Sequence, residues 1–252
     1  MHWVDDGIIL ATRRHGERAL IVDALTVEHG RHAGLVRGGQ GPKVRVRYQI
    51  GNQVALTWSA RLVDHLGTFT GELLIGRAAR FIDDRGRLGC LTAAAAVASA
   101  TLPEREPHPR FYAGMVALLD ALDSADDYPA RYARLELDLL AELGYGLDLS
   151  CCAATGTRDG LTHVSPRSGQ AVSAAAAAPY RERLLPLPRF LLVDSAAVPS
   201  PEEILDGLNL TGFFLDRRVL HPYGRKMPAA RSRFVDVLRR TGTLAAQRIE
   251  SA

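Results

Sequence analysis

The arginine and lysine side chains of one acid-free stretch are the groups of this sequence best suited to chemistry. Residues 29–63 contain no Asp or Glu, and because the net charge of the whole chain is only +3, positive charge is concentrated here. A surface that gathers cations without anions attracts polyanions, and nucleic acid is the commonest polyanion that a protein meets. The interpretation rests on six side chains: Arg31, Arg37, Lys43, Arg45, Arg47 and Arg61.

Basic and apolar residues alternate strictly over residues 42–48, which predicts an extended strand with one cationic face and one buried face. An edge strand that carries charge to prevent sheet association would show the same pattern. The preceding loop, residues 38–41, is rich in glycine but lacks the Gly-Lys-Ser/Thr ending of a nucleotide-binding P-loop. We predict phosphate contacts from the following side chains: Arg14, Arg31, Arg37, Lys43, Arg45 and Arg47.

Five short segments rich in aliphatic and β-branched residues must position these cations. They are separated by glycine-containing turns and no helical run lies between them, a pattern that favours a small barrel over a parallel sheet. We expect an OB-fold over residues 1–76, with Tyr48 and Trp58 packed in its core. The predicted strands are residues 8–10, 19–27, 34–37, 53–58 and 65–74.

The remainder of the chain, residues 77–252, has helical periodicity, so the expected fold class is α+β. Apolar residues recur at helical spacing, and prolines and Gly144 mark where helices begin and end. Residues 150–175 interrupt this pattern with a Gly-, Ser- and Thr-rich insertion that suggests a pair of hairpins. The predicted helices include residues 91–100, 110–122, 130–143, 201–220 and 228–240.

Residues that could bind a metal or perform catalysis are few. Cys151, Cys152 and His163 suggest zinc, but they leave a four-ligand site about two ligands short, so we expect no metal and no cofactor. The adjacent pairs Asp83-Asp84 and Asp126-Asp127 could serve a metal-dependent nuclease, but they fall in probable loops, where Asp is common. No catalytic triad or dinucleotide fingerprint is present. We therefore expect a protein that is not an enzyme.

Two alternatives stay open from the residues alone. A metal-dependent nuclease would cleave DNA with magnesium or manganese and lose that activity on Asp83→Asn. An RNA-binding OB-fold module would prefer RNA to DNA of equal length, because it would contact 2′-hydroxyl groups.

The sequence shows neither an apolar run long enough to span a bilayer nor a basic and apolar leader at its start. The adjacent Cys151 and Cys152 leave no credible disulfide framework. We expect a cytoplasmic protein that does not contact a membrane.

Several short segments, in order and spacing, resemble the RecO family of recombination mediators over nearly the whole chain. The match is strongest across residues 133–149. The matching segments are GIIL at 7–10, IVDALTVEHG at 21–30, LVRGG at 35–39, PK at 42–43, ARLELDLL at 133–140, LGYGLDL at 143–149, LP at 185–186 and LHPY at 220–223.

The resemblance implies an N-terminal OB-fold and a helical domain with a zinc-ribbon-like insertion. It also implies binding of single- and double-stranded DNA, strand annealing, contact with RecR and with the acidic C-terminal tail of single-strand-binding protein, and RecA loading in RecF-pathway repair at the nucleoid. Because only Cys152 and Cys151 stand where metal-bearing members have their first ligand, we expect the hairpins to persist without zinc.

The resemblance also places Arg134 beside the groove that receives the partner's tail, where a guanidinium suits a terminal carboxylate. An ordinary ion pair with Asp138, four residues on, is the alternative. A second acid-free stretch, residues 217–235, could extend either this groove or the DNA path, and the sequence does not say which. The residues predicted for the tail are Arg134, Arg225, Lys226 and Arg231.

Overall fold

The chain forms two compact units in the computed structural model, which describes residues 1–192 and 198–250, with side chains up to Thr241. The first unit comprises residues 1–123 together with 228–231, and the second comprises residues 124–227 together with the chain from Ser232 onward. Each unit has its own strands and helices.

Five strands of the first unit close into a barrel, in the order β1–β2–β3–β5–β4. Neighbouring strands are antiparallel, except for the parallel pair β3 and β5. The five predicted strands are confirmed, and β1 is longer than predicted because exposed Asp and Arg residues extend it at both ends. The strands are β1 (His2–His15), β2 (Ala19–Thr26), β3 (Gly30–Val36), β4 (Gln53–Ser59) and β5 (Thr68–Ile75).

Side chains from all five strands fill the barrel interior. Tyr48 and Trp58 are each 2% exposed, as predicted, and the Trp58 indole N–H donates to the Leu66 carbonyl at 3.0 Å. Gly34 is required for this packing, because a Cβ atom there would lie 2.4 Å from the Phe69 ring. The barrel is therefore a packed core with no room for a ligand along Phe69.

Residues 42–47 form a short helix, α1 (Pro42–Arg47), so the strand predicted there is wrong. Pro42 occupies the first turn, where its fixed φ suits a helix and its missing N–H is not needed. Val44 and Tyr48, four residues apart, pack together against the barrel core. Val46, which a strand would bury beside them, is 52% exposed. The alternating sequence fits both structures, and packing at helical spacing decides between them.

The first compact unit extends beyond the barrel. The Arg77 side chain is fully buried, and its guanidinium contacts the carboxylate of Asp120 in the helix formed by Pro109–Ser124. The Arg77 backbone N–H donates to the Asn52 side chain at 2.9 Å. These contacts tie that helix to the barrel. A domain boundary at residue 76 coincides with the end of β5 and stays a prediction, because the compact unit continues to residue 123.

The predicted helices are all present. Gly144 ends α4 as predicted: at φ +81° it adopts the left-handed conformation, and the N–H groups of Gly144 and Tyr145 donate to the carbonyls of Ala141 and Leu140. No helix in the described ranges is long and apolar enough to cross a membrane. The helices are α2 (Arg85–Thr101), α3 (Pro109–Ser124), α4 (Tyr128–Glu142), α5 (Ala174–Ala177), α6 (Pro201–Phe214) and α7 (Ala229–Glu250).

Helices α4 and α6 pack together in the second unit, where the buried Glu136 carboxylate accepts from the Thr211 hydroxyl at 2.6 Å. The helix predicted for residues 201–220 ends earlier, at Phe214, and continues as a π-helical turn to Leu220. The predicted insertion, residues 150–175, contains β6 (Leu161–Val164) and β7 (Ala171–Ser173), and β8 (Leu185–Pro186), which lies beyond it, completes a three-stranded sheet.

His32 is a buried titratable group of the barrel. Its ring packs edge-to-face against Trp3 and Trp58 at centroid distances of 5.2 and 4.9 Å, and neither ring nitrogen has a hydrogen-bond partner among the described residues. Burial, assisted by the charge of Arg105, lowers the pKa of His32 from 6.5 to about 4. The folded barrel therefore holds this imidazole neutral at pH values where the unfolded chain protonates it.

We predict that the barrel loses stability as the pH falls from 6.5 towards 4, because only the unfolded state then gains a proton on His32. This single group contributes a loss of about 2 kcal/mol in the free energy of unfolding between pH 7 and pH 5. Urea unfolding followed by tryptophan fluorescence measures it, since both tryptophans of the sequence contact His32.

His32→Phe keeps an aromatic ring in place and should remove this part of the pH dependence, whereas His2→Gln, at an exposed site, should leave it unchanged. Equal pH dependence in wild type and His32→Phe would contradict the assignment.

Candidate nucleic-acid interface

Helix α1 lies over one end of the barrel, held there by apolar and polar contacts. Val44 and Tyr48 pack onto the barrel core. On the N-terminal side of the helix, the Gln40 amide donates to the carbonyls of Gly16 and Ala19 at 3.0 and 3.1 Å, which fixes the loop to the β1–β2 hairpin. The glycine-rich loop noted in the sequence, residues 38–41, is therefore anchored by its one amide side chain.

Arg14 and Arg45 line one cleft of about 220 Å³ beside α1. Arg14 comes from the end of β1 and Arg45 from the helix, and Thr12, Leu20 and Gln40 complete the lining. Two guanidinium groups on the walls of a small polar cleft can bind the oxygens of a phosphate bidentately. The cleft therefore offers a place for one backbone phosphate of a nucleic acid strand.

The remaining predicted cations, apart from Arg31, lie on α1 or directly after β3. Lys43 and Arg47, four residues apart, share one flank of α1, and Arg45 projects from the other. The exposed Arg37 directly follows Val36, whose partner across the sheet is the cleft residue Leu20. We call these five cations the α1 surface: Arg14, Arg37, Lys43, Arg45 and Arg47.

The cations of the α1 surface are not neutralised by acidic side chains among the described residues. None of its five cations forms an ion pair with any residue that the structure describes. Arg47 is partly buried beside Tyr48; burial raises the pKa of that tyrosine, and a hydrogen bond with Arg47 opposes the rise. The other four side chains are exposed, so their charge is available to a ligand in solution.

Arg31, which the sequence grouped with these cations, is paired with acidic side chains, and its phosphate contact stays a prediction. Its guanidinium pairs with Asp23 at 3.1 Å and Glu104 at 3.2 Å and donates to the Leu102 carbonyl at 2.9 Å, and the side chain is only 13% exposed. Its charge is therefore neutralised inside the first unit. The absence of Asp and Glu from residues 29–63 did not reveal this pairing, because both acidic partners lie outside that stretch.

The residues predicted to bind the tail of single-strand-binding protein differ in exposure and in the compact unit to which they belong. Arg134 is exposed on α4, but its guanidinium donates to the Phe190 carbonyl at 2.9 Å and its charge opposes the rise that burial causes in the pKa of Asp138. Arg225 and Lys226 are exposed. Arg231 belongs to the first compact unit and is 7% exposed, and its contact with the tail stays a prediction.

The cysteines of the insertion do not form a metal site in the structure. Cys152 is buried, and hydrogen bonds from Ser173 and Thr155 lower its pKa to about 6; the Ser173 backbone N–H lies 3.2 Å from the sulfur. Cys151 is half-buried, and the His163 ring contacts the Thr162 hydroxyl at 2.9 Å. Across the described residues no three potential metal ligands stand together.

One member of each acidic pair of the nuclease alternative, Asp84 and Asp127, has an arginine partner. Asp84 caps α2 by accepting from the backbone N–H of Arg87 at 2.9 Å, and its carboxylate also pairs with the Arg87 guanidinium at 3.2 Å. Asp127 accepts from the Arg131 guanidinium at 2.8 Å at the start of α4. Asp84 therefore caps a helix, whereas Asp127 forms an ion pair with Arg131 and makes no side-chain cap bond.

Comparison with known proteins identifies the family. Residues 1–76 match a family model described as Recombination protein O N terminal, and residues 82–227 match one described as Recombination protein O C terminal. The first match ends at the domain boundary predicted from the sequence.

Full-length relatives agree with these matches. A DNA repair protein RecO of Rhodospirillum rubrum is 49% identical over 245 residues, which are 95% of this chain and 97% of that protein. One of a Ruegeria species is 49% identical over 241 residues, 95% and 99% of the two chains. One of Methylobacterium nodulans is 46% identical over 239 residues, 93% and 97%. The chain therefore belongs to the RecO family of DNA repair and recombination proteins, as its sequence resemblance predicted.

Proposed function

We propose that this chain is a recombination mediator that binds single- and double-stranded DNA through the α1 surface. One observation carries the proposal: five cations from β1, the end of β3 and α1 stand at one end of the barrel without an ion pair in the described chain. A carboxylate near them would cancel their charge, as it does for Arg31. The five-stranded barrel and its strand order support the OB-fold interpretation.

The physical mechanism is electrostatic. Each phosphate contacted by a cation releases condensed counterions, which provides binding free energy that falls as salt rises. Two strands that are both held on a basic surface repel each other less, and base pairing between them then supplies the free energy of annealing. No covalent bond forms or breaks, so the protein needs neither nucleophile nor metal for this role.

Family membership supports the proposed partners. We infer that the chain acts with RecR and single-strand-binding protein to load RecA in RecF-pathway repair, at the nucleoid. Arg134, with Arg225 and Lys226 as further exposed cations of the second unit, is proposed to receive the acidic C-terminal tail of single-strand-binding protein. Residues 150–175, which contain β6 and β7, are proposed to be a zinc-ribbon-like insertion that keeps its hairpin without zinc.

Charge reversal on α1 tests DNA binding. We expect Lys43→Glu/Arg45→Glu/Arg47→Glu to bind single-stranded DNA at least tenfold more weakly at 0.1 M salt, because three phosphate contacts are lost. The slope of log affinity against log salt should become shallower by about 2, at roughly 0.7 per phosphate on single strands. Fluorescence anisotropy with labelled DNA across a salt series measures both quantities.

A matched control separates the α1 surface from net charge. Arg85→Glu/Arg110→Glu/Arg158→Glu makes the same change in charge at exposed sites outside the surface. It should reduce affinity much less and keep the slope. An unchanged slope in the α1 variant, or equal losses in both, would remove the α1 surface from the account.

Arg134→Ala tests the proposed binding of the C-terminal tail of single-strand-binding protein. We expect it to weaken binding of an acidic, apolar-ended C-terminal peptide about tenfold, while Arg134→Lys restores only part of the affinity because ammonium lacks the planar fork. Arg131→Ala, one turn earlier on α4 and paired with Asp127, is the control and should bind normally. Calorimetry with the peptide, alongside melting temperatures, would contradict the assignment if Arg134→Ala bound like wild type.

A further inference from the structure

We propose that Asn52 is a positioning residue that sets the orientation of α1 for DNA, an inference that rests on the proposed DNA-binding function. Asn52 lies immediately before β4 and is 1% exposed, so its buried side chain does not itself contact DNA. Its side chain joins the last turn of α1 to the backbone that follows β5.

The nitrogen of the Asn52 amide binds the helix. Nδ2 donates to the carbonyls of Val46 and Arg47 at 2.9 and 3.3 Å. Carbonyls in the last turn of a helix have no partner within it, and buried ones need a donor from elsewhere. Asn52 supplies that donor at the end of α1 from which Arg45 and Arg47 project.

The oxygen of the same amide binds the chain after β5. Oδ1 accepts from the backbone N–H groups of Arg77 and Ala78 at 2.9 and 3.3 Å. Arg77 is itself immobilised, because its side chain is fully buried and contacts Asp120. The Asn52 backbone is also fixed, since its carbonyl accepts from the N–H of Ile9 at 3.0 Å.

The hydrogen bonds from Asn52 matter for α1 because this helix is only six residues long. Six residues do not form a stable helix in water on their own, so contacts with the barrel must hold α1 in shape. Val44 and Tyr48 fix its inner face, and Gln40 fixes the loop before it. Asn52 is the side chain that holds its C-terminal end. The Asn52 amide offers a donor and an acceptor on two separate atoms, whereas ionised Asp only accepts and Leu, at similar volume, does neither.

Asn52→Asp is the sharpest variant, because it keeps the acceptor for Arg77 and Ala78 and removes the donor to α1. Gln53→Ala is the matched control: Gln53 is the next residue and hydrogen-bonds to Arg77 and Tyr112, and none of these bonds reaches α1. Both variants keep every cation of the α1 surface. Asn52→Asp also adds a negative charge near these cations, so a loss of DNA binding is assigned to orientation only where the neutral Asn52→Ser shows the same loss.

We expect the amide hydrogens of residues 42–48 to exchange faster in Asn52→Asp than in wild type. The variant should bind single-stranded DNA about five- to tenfold more weakly at 0.1 M salt. Its slope of log affinity against log salt should become shallower by about 0.7 to 1.4, equivalent to one or two phosphates. Gln53→Ala should match wild type in all three measurements. A general loss of stability would not change the slope selectively.

Unchanged affinity and slope in Asn52→Asp, with faster exchange in α1, would overturn the inference while leaving the proposed function intact. The proposed function fails separately if charge reversal of Lys43, Arg45 and Arg47 leaves DNA binding unchanged, and the inference then falls with it. Should Asn52→Asp not fold, Asn52→Ser, whose hydroxyl is too short to join both partners, must give the same flattened slope.

Discussion

The attachment of a six-residue helix to the end of a barrel is the constraint on which the basic surface depends. Val44 and Tyr48 anchor α1 in the core, and the amides of Gln40 and Asn52 hold its two ends. A free peptide of this length would not stay helical. The direction in which its cations project is therefore a property of the barrel and not of the helix sequence.

Pairing with acids separates the cations that are open to a ligand from those that stabilise the fold. Arg31 and Arg77 are paired with carboxylates, and Arg77 joins the barrel to α3, whereas the cations on α1 have no such partner among the described residues. Both groups have the same side-chain chemistry. Their roles differ because Asp23, Glu104 and Asp120 approach only the first group.

The sequence predicted the five strands, the helical half, the buried Tyr48 and Trp58, and the end of α4 at Gly144, because alternation, helical periodicity and left-handed glycine are local signals. It misjudged α1, where alternating residues also satisfy helical spacing. It did not show that Arg31 is paired with acidic side chains or that Arg231 is buried, because burial and pairing are set by contacts remote in sequence. Gln40 and Asn52 gave no local signal of their roles, since these arise from hydrogen bonds to distant backbone atoms.

The most direct measurement of the central claim is amide hydrogen exchange of the full chain with and without single-stranded DNA. The account predicts that DNA slows exchange in residues 37–48 and in the adjoining β1–β2 hairpin, residues 12–20, where Arg14 and Arg45 line one cleft. Protection confined to other segments, such as residues 217–235, with residues 37–48 unchanged, would contradict it.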